Sequence, residues 1–295
     1  MNYEIKKKLN AVLNLSASVI PSIWFLVVIS MISSAIITIF YHGGANWLHQ
    51  PSLVSLIPSV VLGLLLVFRT NASYDRFWEG RKIIGQLIND SRSLAILLLV
   101  NIPEKNREDT VEKMAKVRLI AVFFIALKLH LRKESVDEKI KSLVTEEEYL
   151  ELKNVNSMPL KIMTWMAEYT KKMYDRDYID SIQLTEYNQL IERLVGYLGA
   201  CERILNTPIP LAYSIHLKHL LFIYCGVLPF YLLEDLSWLT IPAVGIITFA
   251  LLGIEAIGTE IENPFGYDPN DLPLDHLNNV LHSNLEELMM SNHRK

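Results

Sequence analysis

His216 and His219 stand three residues apart in His216-Leu217-Lys218-His219, a spacing that places two imidazoles on one helix face. A metal centre would need further donors, and no carboxylate or thiol lies near them in the chain. The pair therefore reads as a polar belt where an apolar helix meets water, with Lys218 snorkelling outward. Other chemistry is sparse. The chain has no G-x-S-x-G, no P-loop, no H-E-x-x-H and no G-x-G-x-x-G. Its two cysteines, Cys201 and Cys225, cannot make a disulfide scaffold and read as small buried apolar side chains. No enzyme is expected.

The elements that would carry any function are apolar helices. The chain has 295 residues, of which 51% are hydrophobic and 20% charged, with a net charge of −4. Mean hydropathy is +0.24 and the pI is near 6.1, which excludes a disordered chain and gives no basic surface for nucleic acid. No Lys, Arg, Asp or Glu occurs from Leu9 through Phe68, where only His42 and His49 can titrate. A soluble fold would have to hide that whole run, whereas a bilayer explains it directly.

A membrane-crossing helix needs about 20 mostly apolar residues. Four stretches qualify, at about 17–41, 52–68, 209–233 and 236–254. Two shorter apolar runs, Leu94 to Ile102 and Leu119 to Leu127, are flanked by charge and read as buried faces of soluble helices. Lys6, Lys7 and Lys8 precede the first span, and Arg69, Arg76, Arg81 and Lys82 follow the second, while the loops at 42–51 and 234–235 carry no Lys or Arg. The positive-inside rule then places both termini and the large middle segment in the cytoplasm of a multi-pass cell-membrane protein. Residues 69–208 form a helical cytosolic region, with 133–158 charged and irregular. The segment 255–295 ends in a helix that shows one leucine face at Leu274, Leu277, Leu281, Leu285 and Leu288. The expected fold is an all-α membrane protein of one unit, 1–295. Each span also holds a proline (Pro21, Pro58, Pro229, Pro242), read either as a tolerated kink or as the mark of a shaped pore helix.

The four spans contain no carboxylate, which weakens proton-coupled transport but not a passive channel. Four spans do not readily enclose a pore, so several copies would have to share an axis. The second span runs without a breaker into charged sequence and is the candidate lining. Val60, Leu64 and Phe68 fall at i, i+4 and i+8 on it, covering roughly 12 Å at ~1.5 Å per residue. Spacing alone cannot single them out, because any register of this span supplies an apolar triplet.

Three blocks carry a resemblance. They are Val67-Phe68-Arg69-Thr70-Asn71-Ala72-Ser73-Tyr74-Asp75-Arg76-Phe77-Trp78-Glu79-Gly80-Arg81-Lys82, Cys201-Glu202-Arg203-Ile204-Leu205-Asn206-Thr207-Pro208-Ile209-Pro210, and Glu262-Asn263-Pro264-Phe265-Gly266-Tyr267-Asp268-Pro269-Asn270-Asp271-Leu272-Pro273-Leu274-Asp275. In this order and spacing the chain resembles the prokaryotic bestrophin homologues. The resemblance implies a homopentamer around an axial ion pore, with four membrane helices per subunit and a large helical cytosolic part. It implies a hydrophobic neck at Val60, Leu64 and Phe68 and a cytosolic aperture at Ile182. Its partners would be the lipid bilayer, further copies of itself and small monovalent ions, with no nucleic acid. No cofactor is required.

Animal members carry aromatics at two of the three neck positions, and here only Phe68 is aromatic, so passage of either anions or cations stays open. The family's calcium clasp falls on Asp268 and Asp271, although Asp271 before Leu272-Pro273 equally suits a helix cap. The competing functional reading is a non-channel membrane scaffold or accessory subunit.

Overall fold

The computed structural model describes residues 18–48 and 56–292. Residues 17 and 52–55 of the expected first two spans, and both chain ends, lie outside the described residues. The described residues are helical, with no strand among them. We number the helices α1 (Ile20–His42), α2 (Leu56–Asn101), α3 (Arg107–Leu131), α4 (Glu138–Lys141), α5 (Glu146–Lys153), α6 (Met158–Asp175), α7 (Ser181–Asn206), α8 (Leu211–Leu236), α9 (Thr240–Glu260) and α10 (Leu274–Asn292). The chain divides into two compact units, the first holding residues 1–77, 208–263 and 268–271, the second 78–207, 264–267 and 272–295.

In the first unit, α1, α8, α9 and the start of α2 meet in a small core of Ile23, Leu62, Leu66, Leu217, Leu221 and Leu252. Each helix gives a narrow stripe to this core and leaves large apolar side chains outside. Trp24, Phe25, Ile32, Phe40, Ile223 and Ile246 are all exposed. An outer surface this apolar is expected of helices solvated by lipid and not by water. Three long apolar helical runs are present among the described residues: Ile20–His42, Pro58–Asn101 and Leu211–Glu260. The last is two helices, because a 3-10 turn at Ser237–Leu239, with Ser237 at φ 49°, ends α8 and starts α9 beside it. At that turn the His42 ring stacks on Trp238 at 5.0 Å.

Pro21 and Pro242 sit in the first turns of α1 and α9, where a missing N–H costs nothing. Of these four prolines, Pro229 lies well inside its helix, α8. Gly245 of α9 lets that helix close on α1, since a Cβ there would come within 2.8 Å of Met31 Sδ.

In the second unit α3 is the central helix. It packs on α6 and α10, and Ile120, Val122, Phe123 and Phe124 are all but inaccessible. The short apolar runs at Leu94 and Leu119 are therefore soluble-type core. Lys113 is buried here because its ammonium closes the end of α2, donating to the carbonyls of Leu99 (3.2 Å) and Ile102 (3.0 Å) and pairing with Glu104. The segment 133–158, expected to be irregular, holds α4 and α5. Asp137 caps α4, and Thr145 with Glu148 forms a capping box on α5. Of the leucine face of α10, Leu274, Leu281 and Leu285 are buried, while Leu277 and Leu288 are half-buried at its margin.

Gly80 carries the close approach in this unit. A Cβ there would lie 3.0 Å from Pro264 Cγ and 3.3 Å from the buried Phe265 ring. The same turn is held by Arg132, which donates to the carbonyls of Phe265 (3.1 Å) and Gly266 (2.8 Å).

Candidate pore-lining face

Along residues 58–77 of α2, the part in the first unit, the buried positions are Leu62, Leu66, Arg69 and Ser73, all at 3% exposure or less. They recur at i, i+4, i+7 and i+11, one stripe of a helix. Leu64 lies about 200° around the helix from both Leu62 and Leu66, so it is turned away from its own unit's core. The same step carries Val60 and Phe68 outward. Their exposures are 51% for Val60, 52% for Leu64 and 63% for Phe68. Val61 and Val67 widen this apolar outer face. Ile182, the second residue of α7, is 78% exposed, beside the Asp180–Gln183 capping box that starts the helix.

Arg69 follows Phe68 directly, yet it puts no free charge on that face. Its guanidinium is buried and donates to Glu255 (2.6 Å), Thr259 Oγ1 (2.9 Å) and Glu262 (3.3 Å). Glu262 is the junction of the unit. One carboxylate oxygen accepts from the Ile209 N–H at 3.0 Å, the other faces Arg69, and its carbonyl accepts from Arg76 Nε at 3.0 Å. Arg69 and Arg76 come from the first sequence block, Ile209 from the second and Glu262 from the third. The motifs that carry the resemblance are thus the parts of one polar joint between α2, the start of α8 and the end of α9. Nothing in the local sequence pattern pairs them, since the partners are more than 50 residues apart.

Asp268 and Asp271 face each other across a turn. The Asp268 N–H donates to Asp271 Oδ2 at 2.7 Å, and the Asp271 N–H returns to the Asp268 carbonyl at 3.0 Å. No group of three or more His, Cys, Asp or Glu among the described residues is placed to hold a metal. These two carboxylates do not make a calcium cage by side chains alone. The same holds for His216 and His219. Cys201 is fully buried in α7, and burial pushes its thiol up to about 12, so it is inert near neutral pH.

The family described as bacterial/fungal bestrophin protein matches residues 4–287. A voltage-dependent anion channel-forming protein of Nostoc sp. is 47% identical over 274 residues, covering 93% of this chain and 89% of that protein. One of Synechocystis sp. is 45% identical over 92% of this chain and 88% of its own length. A crystal structure of a bacterial bestrophin homologue from Klebsiella pneumoniae superimposes with a TM-score of 0.83 at 26% identity, covering 90% of this chain and 98% of that one. Matched almost from end to end, and carrying the apolar helices of a membrane protein, the chain belongs to the bacterial and fungal bestrophin family.

Proposed function

We propose that this chain forms a homopentameric ion channel in the cell membrane, with α2 lining a hydrophobic neck at Val60, Leu64 and Phe68. One observation carries the reading. The three side chains lie opposite the stripe that packs α2 into its own unit, so they are free to face a shared axis. The relatives from Nostoc and Synechocystis are named as channel-forming, which supports the same conclusion. Four membrane helices (α1, the first part of α2, α8 and α9) with cytoplasmic termini follow from the distribution of Lys and Arg.

Rings of apolar side chains pass no ion while dry and conduct when water fills them. The neck holds no charge, because Arg69 is neutralised by Glu255 and Glu262. It therefore acts on ions through dehydration and water occupancy, with small monovalent ions paying least. A second constriction is assigned to Ile182.

Purified protein in planar bilayers should give unitary currents, and reversal potentials under a salt gradient read the sign of the ion. Ile182→Ala should change conductance or rectification about two- to tenfold, equivalent to at most about 1.4 kcal/mol of barrier. The exposed position makes a folding defect an unsuitable explanation. Absence of any current would overturn the proposal. Repeating the recording with a chelator asks whether calcium held near Asp268 and Asp271 has any part in opening.

A further inference from the structure

A cavity of about 510 Å³ opens in the first unit between α1, α8, α9 and the 268–269 turn. That size suits a small-molecule or lipid head group. Its lining changes character along all three helices in one sense. At the start of α1 it runs from Ser18, Val19, Pro21 and Ser22 to Ile23 and Leu26, and on α8 from Lys218 to Leu221 and Phe222. On α9, which ends where the other two begin, it runs back from Glu260 and Glu255 to Leu252. The cavity is polar at the helix ends and apolar one to two turns further in, the profile of a phospholipid with its head at the membrane surface.

The charges at the polar end are unequal in their commitments. Glu255 is taken by Arg69 at 2.6 Å. Lys218, half exposed, reaches Glu255 only at 3.7 Å, too long for a hydrogen bond. The Glu260 and Asp268 carboxylates have no hydrogen-bond or ion-pair partner among the described residues, although the Asp268 backbone is used in its turn. Two open carboxylates beside one loosely held ammonium complement a zwitterion. We propose that this cavity binds a phospholipid bearing a primary ammonium, of the phosphoethanolamine type. Lys218 meets the phosphate, Glu260 and Asp268 accept from the ammonium, and the acyl chains enter along Leu26 and Phe222.

A choline head fits the same space but has no N–H to donate to the carboxylates. An anionic glycerol head meets them with like charge. The inference rests on reading α1, α8 and α9 as membrane helices.

The test is native mass spectrometry of the full chain in detergent with phosphatidylethanolamine, phosphatidylcholine and phosphatidylglycerol of matched acyl chains. Phosphatidylethanolamine should be retained about tenfold over each of the others, the worth of one charge-assisted hydrogen bond. In the double variant Glu260→Gln, Asp268→Asn the preference over phosphatidylcholine should fall to near unity while lipid is still taken up. Lys218→Met should weaken both lipids alike. Soluble glycerophosphoethanolamine should fail to displace the lipid, since it lacks the chains. Equal retention of phosphatidylethanolamine and phosphatidylcholine by the unaltered protein overturns the proposal, as does a preference that survives in the folded double variant. Displacement by the soluble head group overturns the lipid assignment. Protein that conducts but shows no preference sinks only this inference, and protein that shows the preference without conducting sinks only the channel.

Discussion

Leu64→Ala should raise single-channel current about tenfold, because a barrier lowered by about 1.4 kcal/mol passes ions ten times faster. A ring of leucines at the middle of the neck is trimmed to a ring of methyls. The lumen widens and its wall offers less apolar surface to water, at ~25 cal/mol per Å². Both changes favour the wet, conducting state. The side chain is 52% exposed and absent from the core of its unit, so folding should be nearly unaffected. Leu62→Ala is the matched control. Leu62 is 3% exposed and belongs to that core, so its truncation should cost stability, about 2–5 kcal/mol, without widening the neck. Two leucines two residues apart should thus split cleanly, one changing current and the other melting temperature. Equal effects on current from both would mean that the face assignment is wrong.

Arg69→Met should cost the folded protein itself. The substitution keeps much of the side-chain volume and removes the charge that faces Glu255 and Glu262. Breaking a buried pair by removing one partner typically costs about 3–5 kcal/mol, because the surviving charges are left without compensation. Here two carboxylates lose the guanidinium at once, Glu255 keeping only Lys218 at 3.7 Å, and Glu262 also holds the Ile209 N–H at the start of α8. Size-exclusion chromatography in detergent should show little monodisperse protein. Adding Glu255→Gln and Glu262→Gln to Arg69→Met should restore part of it, since the triple variant buries neutral groups. A single variant that purifies with unaltered melting temperature would mean that Arg69 does not join the helices.

Long-range features were legible in proportion to how local their physics is. The membrane helices follow from runs of apolar residues, and the short runs at Leu94 and Leu119 are separated from them by length and flanking charge. The α10 face follows from leucines at helical spacing. The capping box of Thr145 and Glu148 is also written locally, yet the run Glu146-Glu147-Glu148 reads first as exposed charge, which hides α5. The joint at Glu262 is different in kind. Its partners are separated by 53 to 193 residues, and a buried Arg69 looks in sequence like any positive charge flanking a span. The neck is intermediate. An apolar helix offers every register equally, so Val60, Leu64 and Phe68 rest on resemblance at first. The burial of Leu62, Leu66 and Arg69 then supplies a physical reason for the face they occupy.

The decisive measurement is single-channel recording of Leu64→Cys while a bulky charged thiol reagent is applied. The native thiols, Cys201 and Cys225, are both buried and give a quiet background. Current should fall in discrete steps, one for each subunit labelled, up to complete block. Current that continues unchanged after Leu64→Cys has been labelled to completion would show that ions do not travel along this face of α2.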